Sequence, residues 1–244
     1  YTICFGIMVM LVFGRFLYYG KSFVGGADGL SQVAPTMQYT GQYYRALLKN
    51  ILQGNLQIPM WDMSIGFGMN ILQVIPFDPV YILCSVLFVH DIAVGIAIFD
   101  MLCLYLAGIM FIALCYNLGC NRYAALAAAL AYIFNGYILN YCMAQNSFLR
   151  LFIVLPMILL GVYNVTKKNR YGIFVLAVLY NITLGPLNIY TIGIVLIFCF
   201  CMAYIFSDRK KGVADFFSYI WKPVLIYILE MLVMAVFLIP TMYK

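Results

Sequence analysis

The chain has 244 residues, of which 66% are hydrophobic and 9% charged, with a formal net charge of +6. A charged fraction of ~25% is usual for a water-soluble domain, so this composition excludes that class and fits a polytopic membrane protein. The cations sit singly or in short clusters between apolar runs, which argues against a nucleic-acid-binding face and makes them markers of helix orientation instead.

The first apolar block, Tyr1 to Tyr19, is long enough to cross a hydrocarbon core of ~30 Å. No small-residue cleavage site follows it, so it reads as a helix rather than a signal peptide, with Arg15 placed to snorkel to the interface. A polar interval runs from Gly20 to Asp91. Within it, Pro35 to Leu52 carries proline near a helix start and Gly54 just past the end. Gln38, Gln42, Arg45 and Lys49 recur on one side, with Met37, Tyr44, Leu47, Leu48 and Ile51 opposite. That pattern predicts an amphipathic helix lying in the interface plane. The following Asn55 to Asp62 and Gly66-Phe67-Gly68 lack the spacing of a phosphate loop, and Trp61 suits a membrane interface. Pro76, Asp78 and Pro79 interrupt the next apolar run, leaving Val80 to Val89, too short to span and expected as a second interfacial or re-entrant helix.

Spanning segments are expected at Ile92 to Tyr116, Tyr123 to Asn140, Phe148 to Thr166, Tyr171 to Gly185, Asn188 to Phe206 and Tyr219 to Pro240. Lys167-Lys168-Asn169-Arg170 and Asp208-Arg209-Lys210-Lys211 are the two basic loops, which belong on the cytoplasmic side. Counting back from them puts Asn140 to Ser147 and the whole of Gly20 to Asp91 outside. The expectation is an all-α polytopic membrane protein of about seven transmembrane helices, with a large outer-face first loop carrying juxtamembrane helices. Residues 1–244 form a single transmembrane domain on this reading, the N-terminal portion of something longer.

The eight cysteines show no CxxC or Cys/His spacing, so neither a disulfide framework nor a zinc site is expected. Asp100 and Glu230 are the ionisable residues placed inside apolar runs. They are functional candidates or side chains satisfied within the bundle. His90 reads as an interfacial residue. No Ser/His/Asp set or HExxH motif is present, and what remains is carboxylates of the outer loop: Asp28, Asp62, Asp78 and Asp91. An aspartate at a membrane surface can act as general base toward an alcohol, or ligate a divalent metal that holds a phosphate. The alternative for Asp28 is an N-cap or turn residue in a glycine-rich loop.

Several runs, in order, resemble the YfhO family of bacterial membrane proteins: Gly26-Ala27-Asp28-Gly29-Leu30-Ser31-Gln32 with Pro35, Gly54 to Trp61-Asp62, Gly66-Phe67-Gly68, and Pro76-Phe77-Asp78-Pro79. Leu106-Ala107-Gly108, Ala131 to Tyr137, Leu155-Pro156 and Leu238 to Thr241 continue the match. The resemblance implies a glycosyltransferase-C-like fold in the bacterial cytoplasmic membrane, with a sugar donor carried on polyprenyl phosphate and a cell-envelope polymer such as teichoic acid as acceptor. It implies that Asp28 is the catalytic aspartate of the first loop; Gln32, Trp61 and Asp62, which match the same motifs, and Arg45, a cation placed to neutralise the lipid phosphate, are the candidate substrate-binding residues. Asp100 stands where many relatives would carry a basic residue. A transporter or flippase of lipid-linked sugar, with Asp100 and Glu230 along its path, is the competing reading, and a non-catalytic envelope-assembly subunit is another.

Overall fold

The computed structural model describes the chain apart from residues 27, 56, 185, 208–211, 234, 236–238 and 240–244, and apart from the side chains of 186–191. The helix break expected at Gly185-Pro186, the basic loop at 208–211, Ala27 of the first motif and the match at 238–241 fall wholly or partly outside the described residues. The chain divides into two compact units, Tyr1–Ile153 and Val154–Lys244, with the boundary inside one helix.

In the first unit, α1 (Thr2–Tyr18) is followed by an extended stretch and a π-helical turn, Gly29–Val33, which passes without a break into α2 (Ala34–Leu52). A small antiparallel hairpin follows, β1 (Trp61–Asp62) and β2 (Met69–Asn70), with Trp61 opposite Asn70 and Asp62 opposite Met69. Then come α3 (Ile71–Val74), α4 (Pro79–Leu87), α5 (Ile92–Asn117) and α6 (Arg122–Ile133). A π turn at Ile138–Cys142 and a 3-10 turn at Asn146–Phe148 lead into α7 (Leu149–Lys168).

Local chemistry explains where these helices begin. Asp78 Oδ1 accepts the backbone N–H groups of Val80 (2.8 Å) and Tyr81 (3.0 Å), and Pro79 occupies the first helical position, where a missing N–H costs nothing. Asn121 Oδ1 accepts from Ala124 N at 2.8 Å and starts α6 in the same way. The helix α2 packs on α4 through Met37, Thr40 and Gly41, a buried stripe at helical spacing. A Cβ on Gly41 would run into the Ser85 carbonyl oxygen, so glycine lets the two backbones meet. This stripe differs from the apolar side expected for the helix. Of that set Met37 is buried, while Leu48 and Ile51 near the C-terminal end remain exposed. The contact selects small residues over the larger leucines further along. Ala107 of α5 and Ala125 and Ala129 of α6 are fully buried, the small-residue packing usual between membrane helices.

The second unit holds the rest of α7 with α8 (Gly172–Ile182), α9 (Pro186–Ile205) and α10 (Val213–Val233). Its core is Val154, Ile158, Phe174, Val178, Ile182 and Phe200, with their neighbours.

Among the described residues, three helical segments are long and apolar enough to cross a membrane: Ile92–Asn117, Asn146–Lys168 and Val213–Val233. Four more apolar helices, Thr2–Tyr18, Arg122–Ile133, Gly172–Ile182 and Ile192–Ile205, are shorter. They coincide with the remaining expected spans, so the helical membrane class holds while the count of seven rests on the shorter helices. The segment expected over Tyr123 to Asn140 ends as an α-helix at Ile133, where the chain changes to the π turn. As expected, α4 is short, and it is buried on one side through Tyr81, Cys84 and Ser85.

Candidate functional site

The loop after α1 and the loop after α6 meet at Gly25 and Ala144. A Cβ on Gly25 would lie 3.0 Å from the Ala144 Cα, so only glycine allows so close a passage. Three residues later Asp28 enters the helical turn with φ −62° and ψ −33°, and its side chain makes no capping hydrogen bond. Instead Oδ1 accepts from Gln32 Nε2 at 2.9 Å, and Gln32 Oε1 accepts from Gln145 Nε2 at 3.4 Å. The result is an exposed polar chain, Asp28–Gln32–Gln145, that ties the carboxylate to both loops. The unpaired N–H groups at the start of the helix favour a negative charge there.

Asp62 is attached to the same helix from the hairpin. Its Oδ2 accepts from the Tyr39 hydroxyl at 2.7 Å, and its Oδ1 accepts from Ser64 Oγ (2.7 Å) and Ser64 N (2.8 Å). These donors, the Ser64 hydroxyl first, hold the carboxyl below the ordinary carboxylate range. Burial, and then the bond to Asp62, push the Tyr39 phenol above its usual value. Asp62 is therefore an ionised strut between hairpin and helix. Trp61 beside it donates from Nε1 to Met63 Sδ at 3.2 Å.

Arg45 lies six residues beyond Tyr39, about 9 Å along the helix at 1.5 Å per residue. Its Nε donates to the Val86 carbonyl at 2.7 Å and Nη2 to Leu87 O at 3.4 Å, while Nη1 lies 3.1 Å from His90 Nε2. The guanidinium thus closes the C-terminal end of α4, where a cation is favoured. A polar cleft of about 400 Å³ opens beside it, lined by Gln38, Gln42, Arg45, Val89 and His90. Of the five residues singled out in the sequence, Asp28 and Gln32 touch, Asp62 and Trp61 sit together on the hairpin, and Arg45 stands apart at the α4 terminus.

A second polar group lies inside the first unit. Asp78 and Arg150 form an ion pair, Oδ2 to Nη1 3.9 Å, with side chains 0% and 7% exposed. Asp100 is fully buried, and neither of its oxygens finds a hydrogen-bond partner among the described residues. Tyr81 and Cys103 both feel the charges of Asp78, Asp100 and Arg150, which places the three around one space. Asn146 approaches Asp100 without completing a hydrogen bond, and its Nδ2 is also unpartnered. Gln145 and Asn146 are adjacent, so one short turn reaches the exposed chain at Asp28 with one side chain and the buried charges with the next.

Arg150, Gln145, Asn146 and Tyr39 were not singled out in the sequence. A signal existed for Arg150: it is the lone charged residue between Arg122 and Lys167, set at the start of an apolar run. A cation so placed calls for a buried carboxylate. Nothing in the spacing of Gln145 or Tyr39 distinguishes them from the many other polar and aromatic side chains. In the second unit, Glu230 and Asn181 are buried, with side-chain polar atoms that find no hydrogen-bond partner among the described residues. Among the described residues, no group of three or more His, Cys, Asp or Glu side chains is arranged to hold a metal ion.

Neither a curated protein nor a solved structure matches the chain. The family model described as bacterial membrane protein YfhO matches residues 2–244, nearly end to end. The order of motifs from the aspartate loop to α10 is therefore that of one family, and the chain belongs to the YfhO family of bacterial membrane proteins.

Proposed function

We propose that the protein is a membrane glycosyltransferase. On this reading it moves a sugar from a polyprenyl-phosphate donor to a hydroxyl of a cell-envelope polymer at the outer face, with Asp28 as general base. The observation that carries the reading is the Asp28 carboxylate, exposed at the start of the α2 helix and oriented through Gln32 and Gln145 by two loops. Held by one hydrogen bond from Gln32 and open to an incoming substrate, it meets the first requirement of a base, which is geometry.

In the reaction, Asp28 takes the proton of the acceptor hydroxyl while that oxygen bonds to the anomeric carbon. The bond from that carbon to the lipid phosphate oxygen breaks on the opposite face, and the phosphate leaves with the electron pair, giving inversion. Arg45 retains N–H groups not used by the α4 carbonyls, and exposed Lys49 follows one turn later. The two side chains supply cations suited to the phosphate at a headgroup level. The remaining four expected spans and the outer placement of both loops belong to this same proposal.

The test is transfer of radiolabelled sugar from polyprenyl-phosphate donors to envelope polymer in membrane vesicles. Asp28→Asn is expected to lower turnover about 10²–10⁴-fold, the usual contribution of a general base, with insertion unchanged. Transfer at the parent rate in that variant would remove Asp28 from the role of base. The competing flippase reading draws on the buried Asp100 and Glu230, whose carboxylate oxygens find no hydrogen-bond partner among the described residues. Scrambling of a lipid-linked sugar in vesicles without any transfer would favour it.

A further inference from the structure

The segment from Gln53 to Phe77 contains one charged side chain, Asp62, and both its oxygens are occupied by Tyr39 and Ser64. A water-facing loop of this length would ordinarily carry several charges. Here the exposed large apolar side chains are Ile58, Met60, Trp61, Met63 and Phe67, and the exposed polar ones, Gln53, Asn55, Gln57 and Ser64, are all uncharged. Phe67 is the extreme case. It sits at the hairpin tip with φ +65°, between Gly66 at +53° and Gly68 at +113°, and its side chain is 101% exposed.

A left-handed backbone favours glycine or asparagine and disfavours a bulky side chain. Phenylalanine at this position makes no contact with the described residues that would offset the strain, which points to a use in contact with something other than them. The mount beneath it is stiff. Trp61 lies against Gly68, where a Cβ would come within 2.9 Å of Nε1, and the hairpin base is tied to α2 through Tyr39–Asp62 and through the Tyr43 hydroxyl to Pro59 O at 2.9 Å.

We infer that the hairpin from Trp61 to Asn70 is a membrane-dipping finger, with Phe67 and Met63 inserted among phospholipid acyl chains and Trp61 at the headgroup level. An apolar tip with an aromatic collar and no free charge is the chemistry of a lipid interface. A protein partner that recognised the segment by charge would find nothing to pair with. The finger fixes the depth of α2, and with it the height of Asp28 above the bilayer. This inference stands whether or not the protein transfers sugar.

The test replaces Phe67 with the photocrosslinking analogue p-benzoylphenylalanine in the protein reconstituted into vesicles of phosphatidylcholine and phosphatidylglycerol, free of polyprenyl lipid. After irradiation, mass spectrometry is expected to find phospholipid adducts several-fold above those from the same probe at exposed Gln53. Adducts to a second copy of the chain, adducts that require added polyprenyl phosphate, or a yield no higher than at Gln53 would each overturn the bilayer assignment. Phe67→Ser removes no protein contact, so its melting temperature in detergent should equal the parent's. A large drop would mean that Phe67 packs within the protein, which also overturns it.

Discussion

Removing the cation at Arg150 perturbs the interior of the first unit more than any other single charge change. Arg150 and Asp78 lie 3.9 Å apart with almost no exposure. At an effective dielectric of about 20, their attraction is about 4 kcal/mol, most of which offsets the desolvation of the two ions. The net worth of the pair is therefore small, but the cost of breaking it is not. Arg150→Met removes the ion-pair partner of the fully buried Asp78, and truncating one partner of such a pair costs about 3–5 kcal/mol. Asp78→Asn is milder. The amide oxygen still accepts from Val80 N and Tyr81 N, so about 1–3 kcal/mol is expected. The double variant should fall short of the sum by at least about 1 kcal/mol, the signature of direct coupling. Thermal or denaturant unfolding in mild detergent micelles measures all three. An Arg150→Met protein within about 0.5 kcal/mol of the parent, or strict additivity, would refute a coupled buried pair.

Two further outcomes follow from single contacts. Gly41→Ala drives a methyl group into the Ser85 carbonyl and should destabilise the α2–α4 packing by about 1–3 kcal/mol, whereas Gly6→Ala, with nothing near its added Cβ, should be neutral or stabilising by up to about 1 kcal/mol. Melting temperatures of the two variants side by side distinguish packing from helix propensity. Asp62 has a folded-state pKa depressed below its unfolded value, so its contribution is complete above the unfolded value and disappears as the pH falls through the folded one. Trp61 fluorescence should therefore report an intact hairpin at neutral pH and its loosening only below about pH 4, with Asp62→Asn insensitive to acid over that range.

What the sequence made legible follows from the range of the forces involved. Helix boundaries are local: Pro35, Gly54 and Asp78-Pro79 are punctuation that acts within one turn, and α2, α4 and α5 lie within a residue or two of the ranges expected from the sequence. The Asp28–Gln32 contact was also within reach, because residues four apart on a helix are neighbours. The contact of Gln32 with Gln145 spans 113 positions, and the Asp78–Arg150 pair spans 72 by their numbers; no periodicity encodes such pairings. The stripe of α2 that packs against α4 is likewise not encoded by hydropathy. Hydropathy ranks Leu48 above Gly41, but the α4 backbone selects by size, and only glycine fits against Ser85.

The π turn after α6 bears on how the short helices cross. At 1.5 Å per residue the twelve residues of α6 cover about 18 Å, well below a hydrocarbon core of about 30 Å. Irregular backbone at membrane depth is tolerated where protein, rather than lipid, surrounds it. Ile133, Ile138 and Cys142 are each fully buried, so the break between α6 and the π turn is flanked by protein-facing side chains. The interruption is thus compatible with a continuous crossing from Arg122 to Cys142, completed by the turn that presents Gln145 to Gln32 and Asn146 to Asp100. A broken helix that ends on the candidate base places irregular backbone where a site needs adjustable geometry, and keeps regular α-helix where the chain needs only to cross.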